Sequence, residues 1–112
     1  MYKMIKDYSV YIEHMLDCIH RIDEYVESKD HFYSSRLVQD AVVRNLQVMS
    51  ESSQRLPKEI KENYPEIPWR KISGFRNILV HDYLGLDLDV IWSVVELELP
   101  GFEKVLTAIA QK

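Results

Sequence analysis

Apolar residues recur along most of this chain at steps of three and four, the period of an α-helix with one buried face. From Met4 to Val26, Ile5, Tyr8, Ile12, Met15, Ile19, Ile22 and Val26 form one such stripe, and Met4, Tyr11, Cys18 and Tyr25 widen it at seven-residue intervals. A face that broad contacts two neighbours, as in a bundle, where a two-position seam would mark a coiled-coil pair. His14 and His20 lie on its rim or outside it and read as solvated. A second helix, roughly His31 to Gln54 with Asp30 as its N-cap, should bury Leu37, Val38, Ala41, Val42, Val48 and Met49. Asn45 projects into that apolar face. A buried amide costs about 1–3 kcal/mol when unpaired, so Asn45 needs a partner, either an internal hydrogen bond that holds helix register or a group at a site.

Leu56-Pro57 breaks the second helix, and Pro57 can open a short one to about Asn63. Tyr64-Pro65-Glu66-Ile67-Pro68 is then a rigid connector, because proline and the residue before it are both poor at continuing a helix. The helix that starts at Pro68 gathers Trp69, Ile72, Phe75, Ile78, Leu79, Val80 and Tyr83 on one arc, which should face the core. Arg70, Gly74, Asn77 and His81 follow steps of four, three and four along the opposite side, so Asn77 and His81 are neighbours. Arg76 falls within the apolar arc and Asp82 at its edge, where a charge requires a partner. Leu84-Gly85-Leu86 turns the chain, Asp87 or Asp89 caps a further helix with Val90, Ile91, Val94, Val95 and Leu99, and Pro100-Gly101 kinks or restarts it ahead of Phe102, Val105, Leu106 and Ile109. No segment alternates with the two-residue period of a strand. The expected fold is an all-α bundle of roughly four or five helices, with the two longest as an antiparallel hairpin.

Composition narrows the possible functions. A chain of 112 residues, 46% apolar and 29% charged, forms a single domain over residues 1–112 with one modest core. It has no apolar run of transmembrane length and its N-terminus has no apolar signal-peptide core, so the expected location is the cytoplasm. The lone Cys18 and four scattered histidines offer no metal-ligand spacing, and no metal or other cofactor is expected. The net charge of −4 argues against holding long nucleic acid by bulk electrostatics. A local basic site remains open, because Arg70, Lys71, Arg76 and His81 share one helix.

The candidate chemistry is concentrated in Arg76-Asn77-Ile78-Leu79-Val80-His81-Asp82-Tyr83. On a straight helix Arg76 and His81 are separated by about 140° and about 7.5 Å of rise, too far to grip one small group together. Either the helix ends near His81, or a second copy of the chain completes the site, and the second is the reading adopted. The plain structural alternative is an arginine bonded to an acidic residue such as Asp40, with a histidine favoured by the helix macrodipole.

Arg76-x4-His81-x-Tyr83, with Asn77 directly after the arginine and Pro68-Trp69-Arg70 ahead of it, resembles the signature of HEPN domains, most closely the HepT branch, the toxin half of HepT/MntA pairs. The resemblance extends over essentially the whole chain through Leu56-Pro57, Ile67-Pro68-Trp69, Gly74-Phe75-Arg76-Asn77 and Asp89-Val90-Ile91-Trp92 before Leu99-Pro100. It implies a HEPN-like bundle and a type VII-like toxin that cleaves RNA without metal at a homodimer cleft. Arg76 and His81 would be catalytic, with Asn77 in support. It further implies a minimal nucleotidyltransferase antitoxin that transfers AMP to Tyr83. The competing reading is a non-catalytic HEPN subunit that binds a nucleotide or partners a nucleotidyltransferase.

Overall fold

The computed structural model describes residues 3–81 and 85–111, with side chains described for residues 8–80 and 85–111. Every regular element among these residues is helical, in agreement with the all-α expectation. Helix α1 (Lys3–Val26) packs antiparallel to α3 (Arg36–Gln54), the long hairpin that the periodicity predicts. Helix α5 (Trp69–His81) packs on α3 and α7 (Leu99–Ala110) on α1, and α5 and α7 meet at Trp69 and Phe102. Short helices α2 (Lys29–Ser34), α4 (Lys58–Asn63) and α6 (Leu88–Ser93) carry the connections. Ile12, Met15, Ile19 and Ile22 of α1, Val42 and Leu46 of α3, Leu79 of α5, Ile91 of α6 and Leu106 of α7 are almost wholly buried and make one continuous core.

The second helix differs from the expectation in three respects. It is divided at Ser35, whose backbone is extended (φ −121°, ψ 111°) and whose hydroxyl accepts the Val38 N–H at 3.2 Å. A serine that caps the helix after it interrupts the helix before it. The cap of α2 is Ser28, which accepts the His31 N–H, and Asp30 stands in the first turn instead. The buried face of α3 is also rotated from the expected one: Leu37 is 80% exposed, and Val43 and Leu46 enter the core beside Val38, Val42 and Met49. Asn45 adopts the internal option, its amide donating to the Ala41 carbonyl at 2.9 Å.

The C-terminal helix is also interrupted. Between α6 and α7 the chain makes a π-helical turn, Val94–Glu98, closed by the Leu99 N–H on the Val94 carbonyl. Pro100 explains it, since proline has no N–H to donate and its ring crowds the carbonyl four residues back. A wider turn relieves that crowding. Asp87 is the cap of α6, accepting the Asp89 N–H at 2.8 Å.

Candidate active site

Helix α5 is fixed at its start by the connector that precedes it. The Ile72 N–H donates to the Pro68 carbonyl at 3.1 Å, and the Trp69 indole N–H turns back to the Tyr64 carbonyl at 3.1 Å. The Trp69 ring meets Phe102 of α7 edge-on at 5.9 Å, so the N-terminal end of α5 is tied to α7. Further along, Leu79 is fully buried while Trp69, Ile72 and Phe75 are half-buried. Ile78 and Val80, which the helical arc assigned to the core, remain 48% and 39% exposed. The arc is broader than the face that α3 and α7 cover. Arg70, Gly74 and Asn77 are exposed on the polar stripe, and a Cβ added at Gly74 would meet nothing within 4 Å.

Arg76 is half-buried and paired. Its Nη2 donates to Glu51 Oε2 of α3 at 3.0 Å, and its Nη1 to Asn77 Oδ1 at 3.3 Å. Its Nε–H is buried and has no hydrogen-bond partner among the described residues. The structural requirement for an acidic partner is therefore met by Glu51, further along α3 than Asp40. The remaining terminal N–H groups of the guanidinium stay available to an anion, because five donors serve two acceptors. One turn on, the Gln47 amide donates to the Leu79 carbonyl at 3.1 Å. His81 belongs to α5, one turn beyond Asn77, and its side chain lies outside the described residues, as do Asp82 and Tyr83.

Glu51 and Gln47 were not singled out from the sequence. They stand four residues apart beside Val43, Leu46 and Ser50, a stripe that only the structure shows to be buried. Ser50 and Ser53, both 1% exposed, sit in the same part of α3 and bond to carbonyls of their own helix. Tyr33 of α2 donates its hydroxyl to Asp89 at the start of α6. That hydrogen bond, followed by burial, pushes the Tyr33 phenol up to about 12, so at neutral pH it keeps the proton it donates. Beside α5, an apolar groove of about 750 Å³ is lined by Ile72, Phe75, Ile78, Leu97, Phe102 and Val105.

Among the described residues no group of three or more His, Cys, Asp or Glu side chains is placed to hold a metal, and no helix is long and apolar enough to cross a membrane.

Known proteins supply the class. The ribonuclease HepT-like family matches residues 15–109, and the chain belongs to that family and is by class a ribonuclease. The chain is 36% identical over 97% of its length to "gamma-glutamylcyclotransferase and putative RNase MJ0434" of Methanocaldococcus jannaschii, and spans 50% of that relative. It is 32% identical to "probable ribonuclease HepT" of Thermococcus cleftensis, covering 91% of this chain and 98% of the relative. To "mRNA nuclease HepT" of Shewanella oneidensis it is 28% identical, over 82% of this chain and 87% of the relative. No solved structure matches.

Proposed function

We infer that this chain is the toxin half of a toxin–antitoxin pair, a cytoplasmic endoribonuclease that needs no metal and acts as a homodimer. The observation that carries the reading is the placement of Arg76: a half-buried guanidinium, bonded to Glu51 and Asn77 on the helix that also bears His81. Membership of a ribonuclease family and a relative named as an mRNA nuclease agree with it. The homodimer is supported by what α5 leaves uncovered, namely Ile78, Val80 and the open space beyond Gly74, together with the apolar groove alongside. A second copy packed there would bring two motif helices together and supply the His81 that one helix cannot place beside its own Arg76.

The chemistry follows from the substrate. The RNA 2′-hydroxyl attacks the adjacent phosphorus, the bond to the 5′-oxygen breaks, and a cyclic phosphate and a 5′-hydroxyl result. His81 takes the proton from the 2′-hydroxyl, and an imidazolium returns one to the leaving oxygen, roles suited to an ordinary pKa of about 6.5. The Arg76 guanidinium offers paired donors to the phosphate oxygens as charge builds on them. Asn77 orients the phosphate or the Arg76 group it already touches. DNA lacks the 2′-hydroxyl and is not a substrate.

Incubating cellular RNA with the purified protein in EDTA tests this directly. Cleavage is expected with the wild type, reduced about 10²–10⁴-fold by His81→Ala, and a DNA of matching sequence should survive. Intact RNA, with protein shown by mass to be unmodified, would instead favour a non-catalytic partner subunit.

Regulation is proposed at Tyr83, two residues past His81. A nucleotidyltransferase antitoxin would join the Tyr83 oxygen to the α-phosphorus of ATP with loss of pyrophosphate, adding bulk and negative charge beside the cleft. Mass analysis after incubation with the cognate enzyme and ATP should find adenylyl mass on the peptide that carries Tyr83. The same mass on a different tyrosine would sink this part of the reading.

A further inference from the structure

Helix α5 is bonded to α3 at two points that share one face of α3. Gln47 and Glu51 are four residues apart and so lie one above the other. Gln47 donates to the Leu79 carbonyl at 3.1 Å, and Glu51 accepts from Arg76 at 3.0 Å. The two contacts run antiparallel, with the later residue of α3 meeting the earlier residue of α5. Apolar packing beneath them leaves α5 free to slide or rotate by small amounts, because the hydrophobic effect has no direction. Two directional bonds one turn apart remove both freedoms. The lower contact also acts on the guanidinium itself. With one Nη2 proton on Glu51 and one Nη1 proton on Asn77, the plane of the Arg76 group is set before any ligand arrives.

We propose that Glu51 and Gln47 are positioning residues of the site: Glu51 orients the Arg76 guanidinium, and Gln47 sets the axial place of the last turn of α5, to which His81 belongs. This rests on the ribonuclease reading above. Neither residue is required to touch RNA. Their effect is on how often Arg76 and His81 stand in productive geometry, and so on turnover more than on binding. A misplacement of about 1 Å in such a group costs up to about a hundredfold in rate.

The test is kcat and KM for RNA cleavage by the wild type, Glu51→Gln, Glu51→Asp, Glu51→Ala and Gln47→Ala, with melting curves and the NMR signal of the Arg76 Nε–H for each. Glu51→Ala should lower kcat about 10–100-fold with KM little changed, Glu51→Asp should recover part of the loss, and Gln47→Ala should lower kcat with a smaller change in the Arg76 signal. Melting temperatures should stay near wild type, because a half-exposed ion pair contributes little to folding. Wild-type kcat in Glu51→Ala would overturn the proposal, as would kcat and melting temperature falling together in every variant, the signature of a purely structural contact. A wild-type protein that cleaves no RNA, yet whose Arg76 signal still depends on Glu51, would overturn the ribonuclease reading and the effect on turnover while upholding the orientation of Arg76.

Discussion

Arg76→Ala is expected to reduce RNA cleavage by about 10²–10³-fold while the chain remains folded, the usual cost of removing one donor that stabilises charge in a transition state. The stability change should be small. The Arg76–Glu51 pair is partly exposed on both sides, at 29% and 45%, and such pairs contribute about 0–1 kcal/mol. Loss of the packed arginine stem adds a further small cost. Arg76→Lys separates charge from geometry. An ammonium keeps the positive charge but lacks the planar fork that can serve Glu51, Asn77 and a phosphate at once. Cleavage by Arg76→Lys should therefore stay well below wild type. Equal rates for lysine and arginine would mean that charge alone is used, and an active Arg76→Ala would remove Arg76 from the chemistry.

Leu79→Ala should act in the opposite way, through the fold. Leu79 is fully buried between the site and the core, and truncating it leaves a cavity under α5. Burial of that kind lost to alanine costs about 2–5 kcal/mol, which for a domain of this size lowers the melting temperature by about 10 °C or more. Thermal unfolding followed by circular dichroism reads the change. Cleavage assayed well below the new melting temperature should fall less than in Arg76→Ala, since no group of the motif has been removed, although a cavity under α5 loosens the placement of its last turn. A melting temperature within a degree or two of wild type would show that Leu79 is not the contact that seats α5 on the core. The two variants together separate loss of chemistry from loss of structure, a distinction that a single inactive mutant cannot make.

The helical class, the α1–α3 hairpin, the connector before α5 and the short α4 were all legible in the chain, because each rests on a local property: the 3.6-residue period, or the backbone limits of proline. The break at Ser35 was harder to see, while an interruption of the last helix was expected from Pro100-Gly101, though not its π-helical form or its place at Val94–Glu98. A serine inside a continuous apolar period is an ordinary helix residue until its hydroxyl is seen on the Val38 N–H. Leu37 stands on the first turn of α3 beside Val38, and only the packing of α3 decides that the buried face turns toward Val43 and Leu46 and leaves Leu37 outside.

The site divides along the same line. Sequence alone put Arg70, Gly74, Asn77 and His81 on one stripe of one helix, required a partner for Arg76, and carried the resemblance that family membership bears out. These follow from helix geometry and from residue types near one another in the chain. Only the tertiary structure decided that the partner of Arg76 is Glu51, that Gln47 reaches the Leu79 carbonyl, and that Ile78 and Val80 face outward. Those contacts join residues 25 and 32 positions apart, and no local pattern ranks one acidic residue of α3 above another. Helical periodicity sets the direction in which each side chain leaves its own axis; the way α3 and α5 cross sets what it meets.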